Sequence, residues 1–243
     1  MAGVDATGGL NLLTIGRRGI VYGMGLLCMA FGVAFSVHSG LGVSPINSLP
    51  YVISLILKVD MGSCVIAVFS VYVLVQILIY RREFKWINLT QILFSILFGY
   101  FVDFAKVLVG DFAVSNYVQQ LALLAVSMVL VALGVCLYMD AGLVNMPMEG
   151  MTRAIGERVV KRWPFHDVKV AVDCLAVAAA LFMSLVFLHD IQGIREGTVL
   201  CAVWIGRMMK PMQKVLKPQV DRFCAGGCGR EPEIRLEGES TGE

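Results

Sequence analysis

The chain has 243 residues, 58% of them hydrophobic and 16% charged, with a formal net charge of +2. That balance excludes an ordinary soluble domain, and so small an excess of positive charge gives no reason to expect a nucleic-acid partner. Several apolar runs are long enough to cross a bilayer core of about 30 Å at about 1.5 Å per residue, so the class is a polytopic helical membrane protein.

Residues 1–16 are Gly-rich and without periodicity, and are expected to be disordered. Arg17 and Arg18 precede an apolar run that continues too far for a signal peptide, and no small-residue cleavage site interrupts it. The first span is therefore predicted over Gly19–His38. It carries Gly23, Gly25 and Gly32, small residues that let another helix approach closely in lipid and permit a homodimer. Ser39–Pro45 is too rich in Gly and Pro to stay helical, and Ile46–Leu57 is apolar but too short to span. Further spans are predicted over Met61–Tyr80, Trp86–Val109, Tyr117–Met139 and Val168–Leu188, with a second short segment over Met148–Val160. The sixth span is the weakest in composition: Thr198–Gly206 is apolar, and the helix is extended to Leu216 with its basic side chains reaching the interface. Residues 218–243 are polar and acidic and read as a disordered cytoplasmic tail.

One stretch occurs twice. GVAFSVHSGLGVSPINSL (Gly32–Leu49) and GVCLYMDAGLVNMPMEGM (Gly134–Met151) align at a single offset that pairs Gly32 with Gly134, Gly40 with Gly142, Pro45 with Pro147 and Asn47 with Glu149. The fold expectation is thus an all-α membrane protein of six transmembrane helices in two repeats, 17–110 and 111–217, each with a short re-entrant or interfacial half-helix. Lys and Arg concentrate on cytoplasmic sides. Arg17, Arg18, Arg81, Arg82, Lys85, Arg153, Arg158, Lys161, Arg162, Arg207, Lys210, Lys214 and Lys217 fall on one side, against scattered Lys58, Lys106 and Arg195. Both termini are then cytoplasmic. Because each repeat holds three spans, the second enters the membrane from the opposite face, which is the sequence pointer for secondary transporters.

Candidate binding residues cluster at the two turns: Gly42, Ser44, Pro45 and Asn47 in the first, Asn145, Pro147 and Glu149 in the second. Glu149 opens a half-helix, where it carries a proton or cation, or else steadies the first turn through the helix dipole. Asn47 coordinates an ion or solute through its amide, or caps its helix. Candidate gating or ion-coupling residues are Asp103 with Lys106, Asp173, Arg195 with Glu196, and the equivalently placed His38 and Asp140. Each has a plainer reading as a surface pair, a membrane boundary or a helix cap. Cys224 and Cys228 form a lone CAGGC pair without a second pair or a nearby histidine, so no metal and no cofactor are expected. No phosphate loop, dinucleotide fingerprint or zinc-protease motif occurs, and an enzyme is not expected.

The text SGLGVSPINSLPYVISLI, the Met61-Gly62 turn, QILFSILFGYFVD (Gln91–Asp103), Pro147 with Glu149 and Gly150, and GIREGT (Gly193–Thr198) resemble the YitT/YczE-type family of bacterial integral membrane proteins. The resemblance covers most of residues 17–216. It departs at Ser39, where Ala is usual, and in the acidic tail after Lys217, whose role it leaves open. It implies a multi-pass protein of the bacterial inner membrane and brings no substrate with it. The repeat therefore carries the functional expectation: alternating access at the repeat interface for a small anionic or zwitterionic solute, attracted by the exposed N-termini of the half-helices. The rival is a non-transporting scaffold or accessory subunit that uses the basic loop Arg153–Arg162.

Overall fold

The computed structural model describes residues 12–84, 86–110, 114, 116–161, 163, 165–190 and 193–224. The expected disordered stretches 1–11 and 225–243, Cys228, and the charge-count residues Lys85 and Arg162 lie outside the described residues. The described residues form eight α-helices in order: α1 (Leu12–Ser39), α2 (Pro45–Leu57), α3 (Met61–Tyr80), α4 (Thr90–Val109), α5 (Tyr117–Ala141), α6 (Pro147–Arg158), α7 (Phe165–Met183) and α8 (Glu196–Cys224). Two short 3-10 turns lead into α4, and a π-helical turn, Ser184–Leu188, ends α7.

Local chemistry sets the ends. Pro45 and Pro147 sit in the first turns of α2 and α6, where a missing N–H costs nothing. Gly142 takes φ +64 at the C-cap of α5, and Gly110 takes φ +71 after α4. The Asn116 side chain caps α5 by accepting from the Val118 N–H at 3.1 Å.

Close approaches at glycine give the helix directions. On α1 and α5, Gly25 lies against Gly134 and Tyr138, while Gly32 lies against Ser127 and Val131, so the two helices run antiparallel. A Cβ at Gly134 would stand 2.5 Å from the Gly25 carbonyl oxygen, so only backbone fits there. On α3 and α4, Gly62 meets Gly99 while Gln76 meets Gln91, again antiparallel. By contrast, α8 runs parallel to α5. Gly197 touches Leu124, the Cys136 thiol donates to the Met209 carbonyl, and Gln213 donates to Asp140. The short helices cross over, α2 packing on α7 and α6 on α3. The core is centred on Tyr22, Leu26, Phe69, Phe98, Met148 and Tyr138, with the Tyr22 and Phe94 rings 4.4 Å apart.

Among the described residues, five helices are long and apolar enough to cross a membrane; α8 is not among them. The five differ in what surrounds them. The most apolar window of the α1 span is 56% buried in the protein and that of the α7 span 17%, which leaves α7 chiefly to lipid. Parts of the two stretches assigned to disorder are helical. Residues 12–16 already belong to α1, and 218–224 continue α8. The reason lies in the spacing of Leu216, Val220 and Cys224, which puts Val220 and Cys224 on one buried stripe despite the polar residues between them.

Candidate functional site

The two turns occupy matching places at the C-terminal ends of α1 and α5. Since those helices are antiparallel, the turns lie at opposite ends of the bundle. Backbone conformation matches as well: Ser44 and Met146, the N-caps of α2 and α6, have φ/ψ of −61/151 and −64/150. A cavity opens at each turn. The first, about 230 Å³, is lined by Ser36, Gly40, Gly42, Tyr51, Gly193 and Arg195. The second, also about 230 Å³, is lined by Asn88, Gln91, Tyr138, Gly142, Val144 and Asn145. The offset that aligns the repeats carries Ser36 onto Tyr138, Gly40 onto Gly142 and Gln91 onto Gly193, so the cavities are built from corresponding positions.

Beneath the second cavity the polar groups are paired. Glu149 stands in the first turn of α6. Its Oε1 accepts from the Tyr138 hydroxyl at 2.5 Å. Lys169 and Arg153 act on it through space. Gln76, buried on α3, donates to Gln91 Oε1 and to the Pro147 carbonyl, each at 3.0 Å, and so ties α4 to the start of α6. A Cβ at Gly150 would lie 2.5 Å from Gln76 Oε1, so a larger residue there would push the Gln76 amide aside. The Tyr22 ring meets Tyr138 edge-on with centroids 5.8 Å apart, and its hydroxyl, in a residue 1% exposed, has no hydrogen-bond partner.

The first half is built from smaller side chains. Asn47 Nδ2 donates to Ser44 Oγ at 3.0 Å, but Asn47 Oδ1 is buried without a donor. Ser36 turns away, donating to the Gly42 carbonyl at 2.9 Å. Gly42, at φ +112, lies so close to Thr198 that a Cβ would be 2.6 Å from Oγ1. Two backbone bonds dock the start of α8 onto this turn, Val43 N–H to Gly193 O and Gly197 N–H to Leu41 O.

The structure therefore groups Gly42, Ser44, Pro45 and Asn47 at the first turn, and Asn145, Pro147 and Glu149 at the second. Asn145 is exposed at its cavity's edge. Arg195 reaches over the first cavity, donating to the Gly40 carbonyl at 3.2 Å and pairing with Glu196 at 3.3 Å. The remaining gating candidates stand apart. Asp103 accepts from the Gly62 N–H at 2.7 Å, where it caps α3, with Lys106 one turn along α4. Asp173 pairs with Lys169 at 3.5 Å, Asp140 accepts from Gln213 at 3.0 Å, and His38 Nδ1 sits 2.8 Å from the Ala34 carbonyl. Sequence reasoning missed Tyr22, Tyr138, Gln76, Gln91, Ser36 and Ser127. Gln76 alone carried a clear signal, as the one amide within the apolar run of α3.

Residues 16–214 match a family of unknown function, DUF6198. The chain belongs to this family. Two relatives from Bacillus subtilis (strain 168) are similar to this DUF6198 chain. The uncharacterized membrane protein YczE is 26% identical over 194 residues, covering 79% of this chain and 84% of its own. The uncharacterized protein YyaS is 22% identical over 135 residues, covering 55% of this chain and 66% of its own. No solved structure matches it. The resemblance to a YczE-type family read from the motifs stands, and with it a multi-pass membrane location for this DUF6198 member.

Proposed function

We infer that this membrane protein is a secondary transporter of a small anionic or zwitterionic solute, working by alternating access between two inverted halves. The observation that carries the reading is the pair of equal cavities, built from corresponding positions at opposite ends of the bundle and separated by a packed centre. The antiparallel α1–α5 pair and the crossed packing of α2 on α7 and α6 on α3 support an inverted repeat of 17–110 on 111–217. On this reading α8 is the sixth span. Its Gly197–Gln213 segment keeps level with Leu124–Asp140 of the apolar helix α5, and its basic residues gather toward one end. Both termini are then cytoplasmic in a bacterial inner membrane. Arg195 supplies a cation at the first mouth for an anionic group, and Glu149, beneath the second, carries a coupling charge. The chain acts as a carrier, without enzymatic chemistry.

The test is uptake into proteoliposomes of a panel of small carboxylates and amino acids under imposed ion gradients. Gradient-driven accumulation that is lost in Glu149→Gln supports the reading. A panel indistinguishable from empty vesicles contradicts it. A scaffold or accessory subunit is the second reading, favoured by the glycine-packed α1–α5 interface and by a hollow beside Asn47 too narrow for water. Alternating access accounts for the same features as a closed centre between two open mouths.

A further inference from the structure

Comparing the two halves position by position isolates one feature that neither packing nor the second cavity explains. In the second half the polar residue after the proline, Glu149, is satisfied by the Tyr138 hydroxyl. The repeat offset places Ser36 where Tyr138 stands. Ser36 is much smaller, and it spends its proton on the Gly42 carbonyl. Asn47, the counterpart of Glu149, is left with Oδ1 lacking a donor in a residue only 1% exposed. Asn47 lines a hollow together with Ser36, Ser44, Ser127, Val33 and Cys201.

A buried acceptor without a donor costs free energy unless something fills its place. Water is excluded here, because the hollow is too narrow to admit a water molecule. A bare sodium ion is smaller than water, whereas a bare potassium ion is about as large. The polar lining consists of one amide and three serine hydroxyls, with no ionised group among them. Neutral oxygens of this kind replace the hydration shell of a monovalent cation, while divalent ions call for carboxylates. Soft or borderline metals are poorly served, and no group of three His, Cys, Asp or Glu side chains that could hold a metal occurs among the described residues.

We propose that the hollow beside Asn47 is a sodium site in which the ion, coordinated by Asn47 Oδ1 and the hydroxyl oxygens of Ser36, Ser44 and Ser127, takes the place that the Tyr138 hydroxyl holds in the other half. Its role as the coupling ion rests on the transporter reading; the binding itself does not.

The experiment is thermal unfolding of the purified full chain in detergent, at fixed ionic strength, in sodium, potassium or choline chloride. Sodium alone should raise the midpoint in a saturable way, as mass action requires of a ligand that binds only the folded state. Asn47→Ala should abolish the shift, Ser127→Ala should move its half-saturation to at least tenfold higher sodium, and Asn47→Asp should retain it. Should Asn47→Ala fail to fold, binding of radioactive sodium to wild type and Ser127→Ala gives the same comparison. A shift shared by potassium or choline overturns the proposal, as does a sodium shift or sodium binding undiminished in Ser127→Ala. Sodium-specific stabilisation without uptake of any solute would uphold the site while removing the transport reading.

Discussion

Gly134→Ala probes the contact on which the two halves turn. The added Cβ would lie 2.5 Å from the Gly25 carbonyl oxygen, 2.7 Å from the Met29 nitrogen and 2.9 Å from the Met29 Cβ, where ordinary contact begins at 3.4 Å. The nearest obstacles are backbone, so no side chain can swing aside and α1 must move from α5 by roughly 1 Å along a tightly packed seam. Overpacking of this kind costs about 3 kcal/mol at the upper end of its range, and the better helix propensity of Ala returns about 1 kcal/mol. The net loss is about 2 kcal/mol, or a fall of roughly 4–8 °C in the unfolding midpoint for a chain of this size. Gly23→Ala is the internal control, because nothing lies within 4 Å of a Cβ there and only the propensity gain remains. Thermal unfolding of both variants in detergent reads the difference. If Gly134→Ala is as stable as Gly23→Ala, the close antiparallel seam does not exist as described and the pairing of the two halves fails with it.

Three further outcomes follow from particular contacts. A double-mutant cycle of Tyr138→Phe with Glu149→Ala should give a coupling of about 1–2 kcal/mol in thermal stability, since the Tyr138–Glu149 hydrogen bond is lost once and not twice; additive effects would contradict the pair. Asp103→Ala should cost about 1 kcal/mol through the uncapped start of α3 while leaving solute uptake per folded molecule unchanged, and selective loss of uptake would restore Asp103 as a gate. Ending the chain after Lys217 should destabilise it by about 2 kcal/mol, because Val220 and Cys224 leave the core; no change in the unfolding midpoint would return 218–224 to a loose tail.

Much of the architecture is legible in the sequence. The α3 boundaries, Met61–Tyr80, follow from an uninterrupted apolar run that stops at two arginines. The half-helices follow from Pro45 and Pro147, which announce helix starts after glycine turns. Less legible was what those turns face. Nothing in the spacing of Tyr138 and Glu149 says that α5 bends a phenol back onto α6, because the pairing depends on how the chain reverses at Gly142. Ser36 and Ser127 lie in apolar helices far apart in the chain, and only the antiparallel crossing of α1 and α5 brings them to one hollow. The end of α8 was hidden by composition. Its charged residues outweigh the stripe of Leu216, Val220 and Cys224 in any average, yet one face is all the core requires. Asp103 has a contact that the sequence does not announce, since its carboxylate accepts from the Gly62 N–H at the start of the neighbouring helix α3.

The most direct test is membrane sidedness of the two turns. Single cysteines placed at Lys58, beside the end of α2, and at Asn145, both exposed positions, are introduced into a cysteine-free chain in intact cells. They are then challenged with a membrane-impermeant maleimide. Inverted halves require the cysteine at 58 to react from outside and the one at 145 to react only after permeabilisation. Reaction of both from the same side would place the two turns together and contradict alternating access at its root.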